Sequence, residues 1–162
     1  MNSYTHVIHP FEAVYDASSK ILILGSFPSV ASRNVNFYYG HPRNRFWGLV
    51  ERLFICTLNS VDDKKRFLLS HHIALWDVIY SCDIVGSSDS SIRNVVVNDI
   101  GTLVKNSAVE LIICNGKTAR RLFDKYVKDV NVRVIDLPST SPANAACSFD
   151  KLAEVWKIIV SP

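Results

Sequence analysis

None of the four cysteines, Cys56, Cys82, Cys114 and Cys147, has a partner at C-x-x-C spacing, which argues against a zinc ribbon or an iron–sulfur cluster. They read as reduced, mostly buried thiols. No apolar run approaches the roughly 18 residues that cross a bilayer. The N-terminal "MNSYTHVIHPF" also lacks a basic stretch followed by an apolar one, so the expectation is a soluble, cytoplasmic protein with no membrane contact. Charge of one sign is scarce as well. The net charge is only +3, far below that of a chain that coats nucleic acid by charge alone, so DNA binding is permitted but not required. There is no internal repeat and no low-complexity linker.

What remains is ordinary globular material. A chain of 162 residues, 48% hydrophobic and 20% charged, can bury one proper core but is short for two. The expectation is one domain over 1–162, with 1–19 an N-terminal extension packed on the core. Three short apolar runs, "ILILG" at 21–25, "VELIICNG" at 109–116 and "VRVIDLPS" at 132–139, are unbroken rather than alternating. That pattern suits strands covered on both faces, as in a parallel sheet. Phe46, Leu49, Val50, Leu53 and Phe54 mark a helix by their spacing, as do Ala119, Leu122, Phe123, Tyr126 and Val127. A last stripe runs through Leu152, Val155, Trp156, Ile159 and Val160.

Between these, "KKRFLLSHHIALWDVIYSCDI" predicts a short helix and then a strand around 74–80, "NDIGTLVKNS" a further helix, and "GSSDSSIRN" at 86–94 a loop. Strand and helix alternate, so the fold class is α/β: a three-layer α/β/α sandwich around a central, mainly parallel four-stranded sheet. Ligands of such sheets sit beyond the carboxyl ends of the strands. That rule selects 25–45, 81–94, 115–118 and 137–146.

Each of these segments carries polar or small residues with two readings. "NGKT" at 115–118 could present Gly116 and Thr118 to a phosphate at a helix start; otherwise Thr118 or Asn115 simply caps that helix. An ATP-binding loop is excluded, because its first glycine would have to stand at Leu111. "LPSTSPANA" at 137–145 is either a stiff hydroxyl-rich clamp for a phosphate chain or a tight turn before a helix capped by Ser148. In "FYYGHPRNRFW", Asn44 occupies an expected N-cap position, and His41 lacks a metal-ligand partner at recognisable spacing. Asp77, Asp83 and Asp89 default to surface or capping roles, with Asp89 the one most exposed to the site.

Together, "LGSFPS", "YYGHPRNRFW", "LWDV", "GSSDSSI", "IICNGKTA" and "LPSTSPANA" resemble the uracil-DNA glycosylase superfamily, in the branch of the hypoxanthine-DNA (deoxyinosine) glycosylases. The resemblance runs from about residue 20 to the C-terminus. It implies a monofunctional enzyme, free of metal and cofactor, that works as a monomer on damaged DNA. Such an enzyme flips a deaminated base out of the duplex and hydrolyses its N-glycosidic bond. Two customary polar groups are absent: Phe27 stands where mismatch-specific relatives carry Asn, and Leu137 where the second motif often has His or Asn. The hypoxanthine branch uses the Asn of "HPRN" instead, and Asn44 matches it.

On that resemblance Asn44 positions the attacking water. Gly25, Ser26, Phe27, Pro28, Tyr39 and Asn115 form the base pocket. Gly116, Lys117, Thr118, Ser139, Thr140, Ser141, Pro142, Ala143 and Asn144 hold the DNA. The preferred base, hypoxanthine with uracil as a second candidate, is not fixed by sequence. A non-catalytic nucleic-acid or nucleotide-binding module on the same fold is the alternative, and a hydrolase of free nucleosides a third reading.

Overall fold

The computed structural model describes residues 3–128 and 130–161. Its centre is the strand Ile21–Gly25 (β2), buried at every residue. Consecutive side chains of a strand point to opposite faces. Accordingly Ile21 and Ile23 enter one core cluster while Leu22 and Leu24 enter the other. A strand with both faces covered has no polar side, and this is why the run reads as unbroken apolar sequence.

Four parallel strands make this sheet in the order β3-β2-β6-β7, with β3 at Ile73–Asp77, β6 at Leu111–Asn115 and β7 at Arg133–Leu137. One face is covered by helices Phe46–Phe54 (α2), Val61–Ser70 (α3) and Phe149–Trp156 (α6). The other is covered by Ile100–Lys105 (α4) and Lys117–Tyr126 (α5). A short helix, Val30–Val35 (α1), follows the first loop. The apolar stripe foreseen for α2 is buried at Phe46, Leu49 and Val50. That helix stops at Ile55, whose left-handed φ of 53° turns the chain away. Ser148 does cap α6, accepting from the Lys151 N–H, and the helix tightens into a 3-10 turn over Lys157–Ile159.

The sequence reading missed a second sheet. Strands Thr5–Ile8 (β1), Ile79–Ile84 (β4) and Arg93–Val97 (β5) pair antiparallel in the order β1-β4-β5. The single strand expected at 74–80 is therefore two, in different sheets, separated at Val78. Three contacts fix that junction. The Val78 N–H donates to the Gly25 carbonyl at 2.9 Å, and the buried Asn98 amide donates to the carbonyls of Asp77 and Ile79 at 2.8 and 3.1 Å. Within β4 only Tyr80 is exposed, while Ser81 and Cys82 are both buried where the register with β5 is irregular. One face of this sheet closes the core over Cys82 and Ile84.

Burial explains the thiols. Cys82 and Cys114 are fully buried, and desolvation pushes them up to about 11 and about 12, because an apolar surrounding disfavours the thiolate. Cys56 and Cys147 are half-buried. An Ellman titration of the native protein is expected to report Cys56 and Cys147 promptly, with Cys82 and Cys114 reacting only on unfolding.

Candidate active site

The carboxyl ends of all four parallel strands, Gly25, Asp77, Asn115 and Leu137, open into one cleft of about 1140 Å³. This is the place where an open α/β sheet whose strand order reverses beside its first strand must leave a crevice. Phe27, Asn44 and Ser139 share its wall. The loops that meet there leave strands whose own ladder bonds are complete, so their polar groups must find partners across the cleft or face solvent.

Asn44 lies at the junction. Its Oδ1 accepts from the Phe46 N–H at 2.9 Å and from the Thr140 hydroxyl at 2.9 Å. The backbone donor settles which end is oxygen. Asn44 is not the N-cap expected of it: the cap position falls on Arg45, which makes no side-chain cap bond, and Asn44, one residue earlier, accepts from the first helical N–H. Its Nδ2 is left with no protein partner among the described residues. Thr140 is held from the far side by Asn115, whose Nδ2 donates to Thr140 Oγ1 and whose Oδ1 accepts from the Thr140 N–H, both at 3.0 Å. Arg45 adds its own N–H to the Thr140 carbonyl at 3.0 Å. Every hydrogen-bonding group of Thr140 is thus spent inside the protein.

Thr140 therefore departs from its expected contact with DNA. It is fully buried, and its hydroxyl joins two asparagines instead of facing a phosphate. Its neighbours differ. The Ser139 Oγ accepts from the Ser141 N–H and the Ser141 Oγ from the Ala143 N–H, each at 3.1 Å, so both hydroxyl protons remain available to an external acceptor. Pro142 and Ala143 are exposed at the tip of this loop. Asn144 instead turns inward, donating to the Ser139 carbonyl at 3.0 Å.

Two residues not anticipated from sequence hold the loop's shape. The Arg45 guanidinium donates to the carbonyls of Cys147 and Asn144, and the Trp156 indole N–H donates to the Pro138 carbonyl at 2.9 Å. A loop with so many satisfied carbonyls is rigid before any ligand arrives.

At the neighbouring α5 start, neither Thr118 nor Asn115 caps the helix; the N-cap is Gly116, at φ 99°, with no side-chain bond. Lys117 and Thr118 line the cleft beside it, with first-turn N–H groups that have no intrahelical acceptor. A Cβ on Gly116 would fall 2.8 Å from the Ser139 Cβ. The two loops meet this closely only because position 116 has no side chain.

The first loop supplies the opposite wall. Ser26 donates to Asp89 at 3.3 Å, so its hydroxyl is already engaged, and the Ser87 hydroxyl accepts from the Val30 N–H at 2.8 Å. Pro28 is buried, while the Phe27 ring lines the cleft with the Arg33 guanidinium 5.8 Å from its centroid. Gly25 lines the cleft. A Cβ there would overlap the Asp77 carboxylate, which overturns the surface or capping role expected of Asp77. Asp77 is 3% exposed and accepts from the buried His9 Nε2 at 2.7 Å. Residue 77 ends β3 at the cleft instead of lying inside a strand that runs to 80.

Tyr39 completes the floor. Its backbone is left-handed at φ 55°, and its ring stacks on Phe46 at 4.3 Å. Its hydroxyl is buried with no hydrogen-bond partner. Burial, then the nearby Asp77 charge, raises its proton affinity far above that of an ordinary phenol, with Asn115 offsetting this only in part. It stays a neutral donor at any physiological pH.

Comparison with known proteins adds a family. The family model described as the Uracil DNA glycosylase superfamily matches residues 12–159. A Methanosarcina acetivorans protein named hypoxanthine DNA glycosylase is 36% identical over 152 residues, covering 92% of this chain and 95% of its own. A Methanosarcina barkeri protein of the same name is 32% identical over 138 residues, covering 83% of this chain and 86% of its own. A solution NMR structure from M. acetivorans, provisionally named a uracil DNA glycosylase, superposes with a TM-score of 0.79 at 32% identity, over 95% of this chain and 99% of that one.

The contact between the two loops makes a direct prediction. Gly116→Ala combines a strained φ with overlap at Ser139 and is expected to cost about 1–3 kcal/mol. The midpoint of urea unfolding should fall with the slope unchanged.

Proposed function

The chain belongs to the uracil DNA glycosylase superfamily, and on that premise we propose that it is a monofunctional DNA glycosylase. It hydrolyses the N-glycosidic bond of a deaminated base, hypoxanthine first and uracil second, in base excision repair. The observation that carries this reading is the Asn44 amide: its oxygen is committed to Phe46 and Thr140, and its Nδ2–H groups are left in the cleft shared with Phe27 and Ser139. The two curated relatives carry the name hypoxanthine DNA glycosylase.

Chemistry follows from what such an amide can and cannot do. With both oxygen lone pairs occupied, Asn44 cannot take a proton from water. It can donate to the water oxygen and hold it over the sugar carbon. That suffices when the C1′–N bond breaks first and its electron pair leaves with the base, since the oxocarbenium sugar is then attacked by a merely positioned water. The bound water loses its proton to solvent only after the new C–O bond forms. The barrier is lowered mainly by fixed donors near the departing base and by the DNA phosphates near the cationic sugar.

DNA is held by hydroxyl and backbone donors rather than by massed charge. Ser139 and Ser141 grip the phosphates flanking the lesion, and Lys117 and Thr118 add donors from the α5 start, where Gly116, its own N–H given to the Leu137 carbonyl at 2.9 Å, lets the two loops meet. Pro142 and Ala143 enter the space that the base leaves. Phe27 stacks on the flipped ring, whose extrusion costs a few kcal/mol and least where the base is mispaired. The enzyme acts as a monomer in the cytoplasm. In support, one chain builds the whole cleft, all four cysteines are free thiols, and no helix of the described residues is long and apolar enough to cross a membrane.

Duplexes with one deoxyinosine or one deoxyuridine, treated with alkali after incubation, test the proposal. Strand scission at deoxyinosine is expected, and Asn44→Ala should reduce it by about 100-fold or more while gel-shift binding is kept. Binding without scission by the native chain would instead identify a non-catalytic module. That alternative draws on the missing polar groups at Phe27 and Leu137.

A further inference from the structure

Beside the cleft, the first five residues of α5, "KTARR", put three cations and no carboxylate at the positive end of a helix. That is the reverse of what a helix dipole favours, so the charge is not there to steady the helix. On a chain whose net charge is only +3, it is also a concentration. An open groove of about 510 Å³ lies between α5 and β7, lined by Lys117, Arg120, Arg121, Asp124, Lys125 and Asp136. Lys117 and Asp136 line the cleft as well, so groove and cleft are continuous.

The charges in the groove are not equivalent. Arg120 is spent inside the protein: its Nε–H donates to both oxygens of Asp124 at 3.1 Å, and its Nη1 donates to the Val134 carbonyl at 3.1 Å and lies 3.9 Å from Asp136. One guanidinium thus answers both carboxylates. Lys117, Arg121 and Lys125 are exposed and take part in no ion pair among the described residues. Spaced four apart, they form one ridge of the helix, with successive charges about 6 Å apart along its axis. Arg121 lies within Coulombic reach of the cleft-lining Asp89. Desolvation raises that carboxyl above its ordinary value, and the Arg121 charge works against the rise.

On the reading of the cleft as a DNA site, we infer that the Lys117–Arg121–Lys125 ridge of α5 is a track for the phosphates of the DNA arm on one side of the lesion. The ridge begins at the cleft, and three separated cations in a row call for a partner with repeated negative charge. A phosphate chain supplies one charge at every nucleotide step and demands no particular base. The cleft loops grip at short range through neutral donors. The ridge adds a longer-ranged, salt-sensitive attraction that draws DNA onto the cleft and aligns one arm. Because α5 runs back from the carboxyl end of β6 toward the amino end of β7, that arm lies against the shoulder of the molecule, where a duplex bent at the lesion follows it most closely.

A labelled duplex carrying one tetrahydrofuran abasic analogue, which cannot be hydrolysed, is titrated by fluorescence anisotropy between about 50 and 200 mM salt. Each cation that meets a phosphate contributes about 0.9 to the slope of log K against log salt. The double variant Arg121→Gln/Lys125→Gln is expected to flatten that slope by about 1.8 and to weaken binding about tenfold at the low-salt end, with the melting temperature unchanged. Lys105→Gln, at the end of α4 that feeds the amino end of β6, removes a charge away from the cleft and should leave the slope as it is. Two shortened duplexes, one without the arm 5′ to the analogue and one without the 3′ arm, then locate the track. The penalty of the double variant should persist on one and vanish on the other.

An unchanged slope in the double variant would overturn the inference and leave the ridge to an acidic protein segment. An equal penalty on both shortened duplexes would overturn it too, because it marks attraction without a path. Neither outcome touches the glycosylase reading, which stands or falls on scission at deoxyinosine. Conversely, a wild type that cleaves nothing but shows the expected slopes retains the track and loses the enzyme.

Discussion

The hydrogen-bond chain Asn44–Thr140–Asn115 ties three separate stretches of sequence into one surface. Asn115 ends β6, Thr140 belongs to the loop after β7 and Asn44 lies in the loop just before α2, so a single buried hydroxyl fixes three positions at once. Every member uses its oxygen or its backbone inward. What remains outward is the Asn44 NH2, aimed with the precision of the packed core rather than with that of a loop. Removing any one link leaves a buried donor or acceptor unpaired in its neighbour, and the cost passes along the chain.

The parallel sheet was legible because strands buried on both faces, ILILG and LIICN, have no polar alternation to blur them. The antiparallel sheet was not. THVI and RNVVV are short and largely solvent-facing, so their pairing comes from tertiary contact with β4 rather than from pattern. In the site, Asn44, Gly116 and the serines of the 137–145 loop were visible as residue types at strand ends. His9 was not, because its partner Asp77 lies 68 positions away. Thr140 and its serine neighbours are chemically alike in sequence, and only the fold decides which hydroxyl faces inward. Arg45 reads as a surface cation until the carbonyls it braces are in place.

Strain and unsatisfied polarity gather on one side of the cleft. Tyr39 is held left-handed by stacking on Phe46, its hydroxyl is unpaired, and Gly25 must lack a side chain beside a buried carboxylate. The opposite side, from Asn44 through Thr140 to the Arg45-braced loop, is almost fully satisfied. The contrast divides the labour. On the proposed glycosylase reading the satisfied half fixes geometry for water and phosphates, while the other half keeps the Tyr39 hydroxyl without a hydrogen-bond partner under the first loop.

On the proposed reading the attacking water is met by an amide rather than by a general base. A strong base facing the cleft near C1′ would aid attack on the sugar but oppose the departure of an anionic purine. In this cleft the Asp77 carboxylate is held by His9 through Oδ2, while Asn44 offers a neutral amide whose oxygen is already taken. In the proposed mechanism, leaving-group departure is the step that fixed donors favour, and water needs only a place to wait. Loss of the customary polar residue at Phe27 is compatible with this order of events. On the proposed reading, positioning falls to Asn44 just before α2, and the first loop turns an aromatic face to the cleft.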